Sequence, residues 1–364
     1  MKIPTGRLIL MLTASVVLTG CASIGPPLPP ALELPRPPAD LKAVRKGDKV
    51  TLTWTIPRRT MERQSVRYLG KTRVCRGLDA SLERCDAMAG EVAPPADFEG
   101  KNSPSGQRLT SSYIDTVPAD LQRRSVFGYA SYAVEVLNRD GRAAGLSNQV
   151  RVPLAETLPP PADFSARVTA RGVEVSWTAP MPPPFPTGIR FGYRVYRRAE
   201  GSQQEILVGE RGAGAEKDQS LTDERFEWEN TYHYHAESFT VVSQAGKPEV
   251  SIDGDDTPEV KVFAHDVFPP AVPGGLQAVF SGPGQERFID LIWTPVTDAD
   301  LDGYNIYRHE EGGAAAKLNS ELVKIPAYRD MQVAAGKTYF YSVSAVDVRG
   351  NESARSEESG ERVP

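Results

Sequence analysis

The sequence predicts an all-β chain built from three copies of one antiparallel module, and three observations point there. Three strand-like segments alternate apolar and polar residues and end at tryptophan: Val50, Leu52 and Trp54; Val173, Val175 and Trp177; Ile289, Leu291 and Trp293. A sheet with one buried face requires that period of two. The tryptophans recur at intervals of 123 and 116 residues, a domain-sized period rather than the roughly 20–50 of a solenoid. The 31 glycines and 31 prolines, spread along 364 residues, suit short strands joined by turns.

The chain opens on Lys2 and Arg7, continues in a mostly apolar run from Leu8 to Val17, and reaches Leu18-Thr19-Gly20-Cys21. A basic start, an apolar stretch and small residues, in that order, are the layout of a secretory signal. The apolar run falls well short of the ~20 residues that span a bilayer. The tetrapeptide resembles the lipobox of bacterial lipoproteins, which implies removal of residues 1–20 and lipidation of Cys21. A plain secreted protein is the other reading. Ala22 is not the aspartate that resembles an inner-membrane retention signal, so the expected place is the cell envelope, at the outer membrane.

From Pro26 to Pro38, seven of thirteen residues are proline. Proline fixes φ and lacks an N–H, so residues 21–37 are expected to join no sheet and to form an extended polyproline II tether. At ~3.1 Å per residue the arm reaches roughly 50 Å. A proline-rich ligand for a partner is a second reading.

The modules open alike, at Pro38-Ala39-Asp40-Leu41, Pro161-Ala162-Asp163-Phe164 and Pro273-Gly274-Gly275-Leu276. Downstream, Tyr193-Arg194-Val195-Tyr196-Arg197 matches Tyr304-Asn305-Ile306-Tyr307-Arg308, with the weaker Thr72-Arg73-Val74-Cys75-Arg76 in the first copy. Asp223 and Asp330 each precede a tyrosine by nine residues, Tyr232 and Tyr339. In combination these residues resemble the fibronectin type III domain, a seven-strand immunoglobulin-like β-sandwich, over nearly all of residues 38–364. The resemblance implies that Trp54, Trp177 and Trp293 fill the space between two sheets. It also implies that Tyr232 and Tyr339 form the tyrosine corner before the sixth strand. The first copy departs from the pattern: Ala130 holds the register of that tyrosine, and residues 77–110 read as a Gly/Pro-punctuated insertion. Prolines at 153–161 and 265–273 set the expected divisions: module one over 38–153, module two over 160–264 and module three over 269–364. Few apolar residues lie in these linkers, so the modules are expected to behave as separate beads.

Cys75 and Cys85, with nine residues between them, sit where a strand and its return would run. An oxidising compartment lets them form a disulfide; two free thiols are the other reading. His233 and His235 alternate with Tyr232, Tyr234 and Ala236, which puts both imidazoles outside the sheet as surface residues. Two histidines are a partial metal site at best, so no metal and no cofactor are expected. Asp298-Ala299-Asp300-Leu301-Asp302-Gly303 resembles the start of a calcium loop, but the twelfth position is His309 rather than glutamate, and a polar turn into a strand is expected. Asp253-Gly254-Asp255-Asp256 reads as a solvated loop.

The sequence contains no Gly-x-Ser-x-Gly, His-Glu-x-x-His or phosphate-cradling loop. The expectation is therefore not an enzyme but a lipid-anchored, non-catalytic spacer, scaffold or binding protein of the envelope. Its partner is the membrane through the anchor, together with an unidentified protein or glycan. Net charge is −5 with scattered Lys and Arg, which points away from nucleic acid. The alternative is a carbohydrate-binding or adhesion surface protein, with Phe127, Phe185 or Trp228 as stacking platforms. A contiguous exposed aromatic row would favour it; packing of Trp228 beneath the turn before the sixth strand would not.

Overall fold

The computed structural model describes residues 32–98, 108–214 and 216–364. The signal, Cys21 and the first part of the tether lie outside the described residues. No helix among the described residues is long and apolar enough to cross a membrane.

Module one contains β1 (Lys42–Lys46), β2 (Lys49–Thr55), β3 (Thr72–Gly77), β4 (Met88–Val92), β5 (Thr110–Thr116), the one-turn helix α1 (Ala119–Arg124), β6 (Tyr129–Val136) and β7 (Val150–Pro153). Strands β1–β2–β5 form one sheet and β4–β3–β6–β7 the other, so the divergent first copy keeps seven strands. Its 77–110 region supplies one of them, β4. The alternation read in the sequence appears in β2, where Val50, Leu52 and Trp54 are buried and their neighbours exposed.

Module two contains β8 (Ala162–Thr169), β9 (Gly172–Thr178), β10 (Ile189–Ala199), β11 (Glu205–Gly212), β12 (Asp218–Asp223), β13 (Thr231–Val242), β14 (Val250–Asp256) and β15 (Val260–Phe263). Sheet β8–β9–β12 faces a sheet in which β11, β10 and β13 run side by side and β14 and β15 share the far edge of β13. Module three contains β16 (Gly274–Phe280), β17 (Ile289–Thr294), β18 (Leu301–Glu310), β19 (Ala316–Lys317), β20 (Ala327–Asp330), β21 (Thr338–Asp347) and β22 (Ser359–Arg362). Here β16–β17–β20 faces β19–β18–β21–β22. The fold is all-β, three successive sandwiches in which a three-stranded sheet faces four strands in modules one and three and five in module two, and each module buries its own apolar cluster between its sheets.

Three expectations fail, each for a physical reason. The proline-rich arm does join module one. Pro35 is buried and forms an isolated bridge with Thr60; the hydrogen bonds are made by its neighbours, Arg36 N–H donating to Arg59 O at 2.9 Å and Leu34 O accepting from Met61 N–H at 3.0 Å. The acidic run at Asp253 is not a loop but part of β14, and Lys46 of β1 pairs with Asp253 in parallel register. One hydrogen-bonded surface thus runs β11–β10–β13–β14–β1–β2–β5 through both modules. Gly47 permits this seam: its φ is +60°, and a Cβ there would lie 2.9 Å from the Asp255 carboxylate.

Nor are the first two modules loosely strung. The linker residues Leu154, Ala155 and Leu158 are 0, 1 and 4% exposed. Ser238 Oγ donates to Leu158 O at 2.6 Å and Thr240 Oγ1 to Glu156 O at 2.9 Å, which straps the linker across β13. Val126 and Phe127 of module one pack on the core of module two. The second junction is more polar. Asn351 Nδ2 donates to Asp266 O and Arg349 Nη1 to Asp266 Oδ2, both at 3.2 Å, while Trp228 and Phe268 lie 6.2 Å apart between ring centres.

Candidate functional site

Trp54, Trp177 and Trp293 are 2, 3 and 5% exposed and lie in their three cores. Tyr232 Oη donates to Glu227 O at 3.2 Å, and Ala334 N–H donates to Tyr339 Oη at 3.1 Å, closing the turn before each sixth strand. The sequence reading missed the neighbour of that tyrosine. Tyr132, Tyr234 and Tyr341 donate to Asp115, Asp223 and Asp330 at 2.7, 3.0 and 2.9 Å, and the same carboxylate oxygens accept from Arg76, Arg197 and Arg308 at 2.6 Å in each case. Each module thus clamps its two sheets with one Arg–Asp–Tyr triad. Burial, and then the adjacent aspartate, pushes these three phenols well above their ordinary range. The signal was present, since the arginine ends every Tyr-x-Val/Ile-Tyr-Arg-type strand. The first copy lacks the corner tyrosine at Ala130 yet keeps the triad.

Cys75 and Cys85 are joined in a disulfide with Cα atoms 5.2 Å apart. Cys85 lies in the loop ahead of the return strand β4 rather than on it.

The three aromatic platforms are not brought together. Phe127 sits in the first junction. Trp228 packs edge-on against Phe226 at 4.8 Å and beside Phe268 in the second junction. Phe185 alone is exposed, at 45%, and it rests edge-on against Phe191. An open groove of about 570 Å³ lies where the arm meets module one, lined by Arg36, Arg58, Arg59 and Arg108 among prolines and Asp40.

Two acidic clusters remain. Asp266, Asp300 and Asp347 converge at the second junction. Arg349 takes a carboxylate oxygen of Asp266, and both Asp347 oxygens accept from Asn351 or from the backbone of Arg349. In the same turn, Asp298 accepts from Ala271 N–H at 2.6 Å and Asp302 from Lys324 at 2.6 Å.

The other cluster surrounds His235, where the surface reading fails. His235 is 9% exposed. Its ring stacks on Tyr196 with centres 5.3 Å apart, and Glu205 from β11 and Glu259 from the corner between β14 and β15 flank it. Pro258 interrupts the outer strand there, so β13 changes partner from β14 to β15, and Glu259 stays at the surface, held by Arg198 at 2.8 Å. His233 instead pairs with Glu200 at 2.7 Å and Glu259 at 3.2 Å.

No protein-family model matches the chain. A stretch of 261 residues, 69% of the chain, is 27% identical to exoglucanase B of Cellulomonas fimi and covers 21% of that protein. Stretches of one-module length match amylopullulanases: 84 residues at 45% identity in Thermoanaerobacter thermohydrosulfuricus, covering 5% of it, and 92 residues at 40% in Thermoanaerobacterium saccharolyticum, covering 7%. The chain therefore spans about a fifth or less of these relatives. Among solved structures, an Fn3-like protein from Clostridium thermocellum is 32% identical over 27% of this chain and 96% of its own, with a TM-score of 0.23. The chicken CNTN1 FN1–FN3 domains are 15% identical over 90% of this chain and 99% of their own, with a TM-score of 0.24.

Proposed function

We propose that this is a lipid-anchored protein of the bacterial cell envelope, at the outer membrane, whose three sandwiches form a non-catalytic spacer and scaffold. The observation that carries the reading is the first junction. A hydrogen-bonded seam and a buried linker hold two modules in one orientation, which is what a part that sets distance needs and a string of free hinges lacks. The partners are the membrane, through Cys21, and an envelope protein or glycan. Fractionation tests the anchor. The full chain should sediment with membranes and Cys21→Ala should release it, because several acyl chains are needed for stable anchoring. Unchanged mass and membrane association in that variant would sink the reading.

Association with carbohydrate is the second reading. It is favoured by the matches to an exoglucanase and to amylopullulanases, in which the chain covers only a small part of each enzyme. Against it, only Phe185 of the three platforms presents an exposed ring. Co-sedimentation with insoluble cellulose and with starch separates the two: a scaffold stays in the supernatant, whereas saturable binding that Phe185→Ala abolishes would establish the carbohydrate role.

A further inference from the structure

We propose that the arginine groove of module one docks on the anionic phosphate headgroups of the membrane toward which the proline-rich arm runs. This docking rests on the anchor reading, because the lipid on Cys21 is what brings a membrane near.

Lys and Arg are scattered along the sequence, yet charge segregates by module. Residues 38–153 hold 19 Lys and Arg against 13 Asp and Glu, whereas 160–264 hold 11 against 17 and 269–364 hold 9 against 14. The module nearest the anchor is therefore positive, and the two beyond it are negative. Within module one, Arg36, Arg58, Arg59 and Arg108 surround one open groove. All four are exposed, and among the described residues none forms an ion pair. The carboxylate in the groove wall, Asp40, is occupied by Thr55, whose N–H and Oγ1 donate to it at 3.1 and 2.5 Å. Arg36 N–H donates to Arg59 O and Ile56 N–H to Leu109 O, both at 2.9 Å, so the walls are fastened before any ligand arrives. A cleft lined by one sign of charge gathers counter-ions, and arginine forks match phosphate oxygens two at a time.

Position favours a membrane over an acidic protein. Strand β2 runs against β5 with Thr55 opposite Thr110 at one end and Lys49 opposite Thr116 at the other. The groove lies beyond the Thr55 end, and the seam with module two, at Lys46 and Gly47, lies beyond the Lys49 end. Seven residues of strand put about 20 Å between them. The arm arrives at the groove's pole, where Leu32 O accepts from Asn138 Nδ2 at 2.8 Å. Cys21 is eleven residues ahead of Leu32, a reach of at most about 40 Å. Exposed apolar side chains accompany the arginines: Leu32 on the arm, Met61 next to the Pro35–Thr60 bridge, and Tyr68, with Arg139 over its ring at 5.6 Å. Arginines for headgroups, with apolar and tyrosine side chains for the interface, compose a surface that lies on a bilayer.

The test uses the mature chain, residues 21–364 with Cys21→Ala, so that no acyl chain contributes. It is co-sedimented with vesicles of pure phosphatidylcholine, or of phosphatidylcholine and phosphatidylglycerol in equal parts. Binding should be saturable on the mixed vesicles, absent from the neutral ones, and should fall as salt shortens the Debye length below ~10 Å. Arg58→Glu with Arg59→Glu should weaken it by about tenfold or more, since one arginine near an anionic surface contributes roughly fivefold. Arg36→Glu, on the arm, is the second variant and should weaken it by about fivefold. Arg171→Glu with Arg225→Glu, both exposed on module two, changes net charge equally and should leave binding unchanged. Equal binding to neutral vesicles, no binding to mixed ones, or equal weakening by the module-two pair would each overturn the docking. Capture by soluble polyglutamate but not by vesicles would also overturn it, and would assign the groove to an acidic protein. A failed anchor is read separately, by fractionating Cys21→Ala cells in high salt, which removes the groove's contribution.

Discussion

At the scale of single residues, the tyrosines separate hydrogen bonding from burial. Tyr193 and Tyr234 are both fully buried in module two, but the Tyr193 hydroxyl has no partner among the described residues, whereas Tyr234 donates to the Asp223 carboxylate at 3.0 Å. Removing an unpartnered hydroxyl relieves a desolvation cost, whereas removing one bound to a charge forfeits about 1.5–3 kcal/mol. Tyr193→Phe should therefore melt at or above the parent temperature, and Tyr234→Phe should lose that amount by chemical denaturation. Equal losses in both would contradict the account. The phenols also fix the alkaline limit. Burial pushes Tyr193 up to about 12 and the triad tyrosines further up. Because their protons are held more tightly folded than unfolded, this stability is complete below the unfolded pKa of about 10 and drains away as pH rises above it. Absorbance at alkaline pH should show exposed tyrosines ionising first and the buried set only together with loss of β-sheet signal. A single smooth titration of all tyrosines in a still-folded chain would refute it.

At the scale of elements, the disulfide and the strands differ in how far the sequence disclosed them. Period-two alternation located β2, β9 and β17 with their tryptophans, because burial on one face repeats along a strand. It did not reveal that Tyr132, Tyr234 and Tyr341 meet an aspartate on the facing sheet. Spacing reports which face a residue occupies, not what lies across the core. For the Cys75–Cys85 link the sequence supplied the two positions, and the structure supplies a Cα separation of 5.2 Å. Closing so short a loop constrains the unfolded chain by about 2–3 kcal/mol. Replacing both cysteines with serine should lower the unfolding free energy of the transition that contains module one by that amount and leave module three unmoved. Free thiols at both positions in protein taken from the envelope would remove the premise.

At the scale of the whole molecule, the junctions decide how the chain behaves. Sequence pattern could not disclose the seam, since one parallel pair at Lys46 and Asp253 has no period and proline-rich linkers read as hinges. Modules one and two are fastened by backbone hydrogen bonding, by Lys46 with Asp256 and Glu237, and by buried apolar linker residues. Modules two and three meet mainly through Asp266, Arg349 and Asn351, and among the described residues modules one and three share no hydrogen bond or ion pair. Buried apolar linkage transmits cooperativity far better than a few polar contacts near the surface. Calorimetry should therefore resolve two transitions, a larger one for residues 38–264 and a smaller one for 269–364. The excised 269–364 segment, which carries its own Trp293, Tyr304 and Tyr341 core, should reproduce the smaller. Leu158→Ala empties a buried site in the strap and should cost about 2–5 kcal/mol in the larger transition alone. Solution scattering should give a radius of gyration above the ~20 Å of a compact body of this length, because the three modules keep separate cores rather than packing around one. One transition for the whole chain with a radius near the compact value would mean the third module is fastened as firmly as the second. Three transitions would mean the seam does not couple the first two, and the scaffold reading would lose the observation on which it rests.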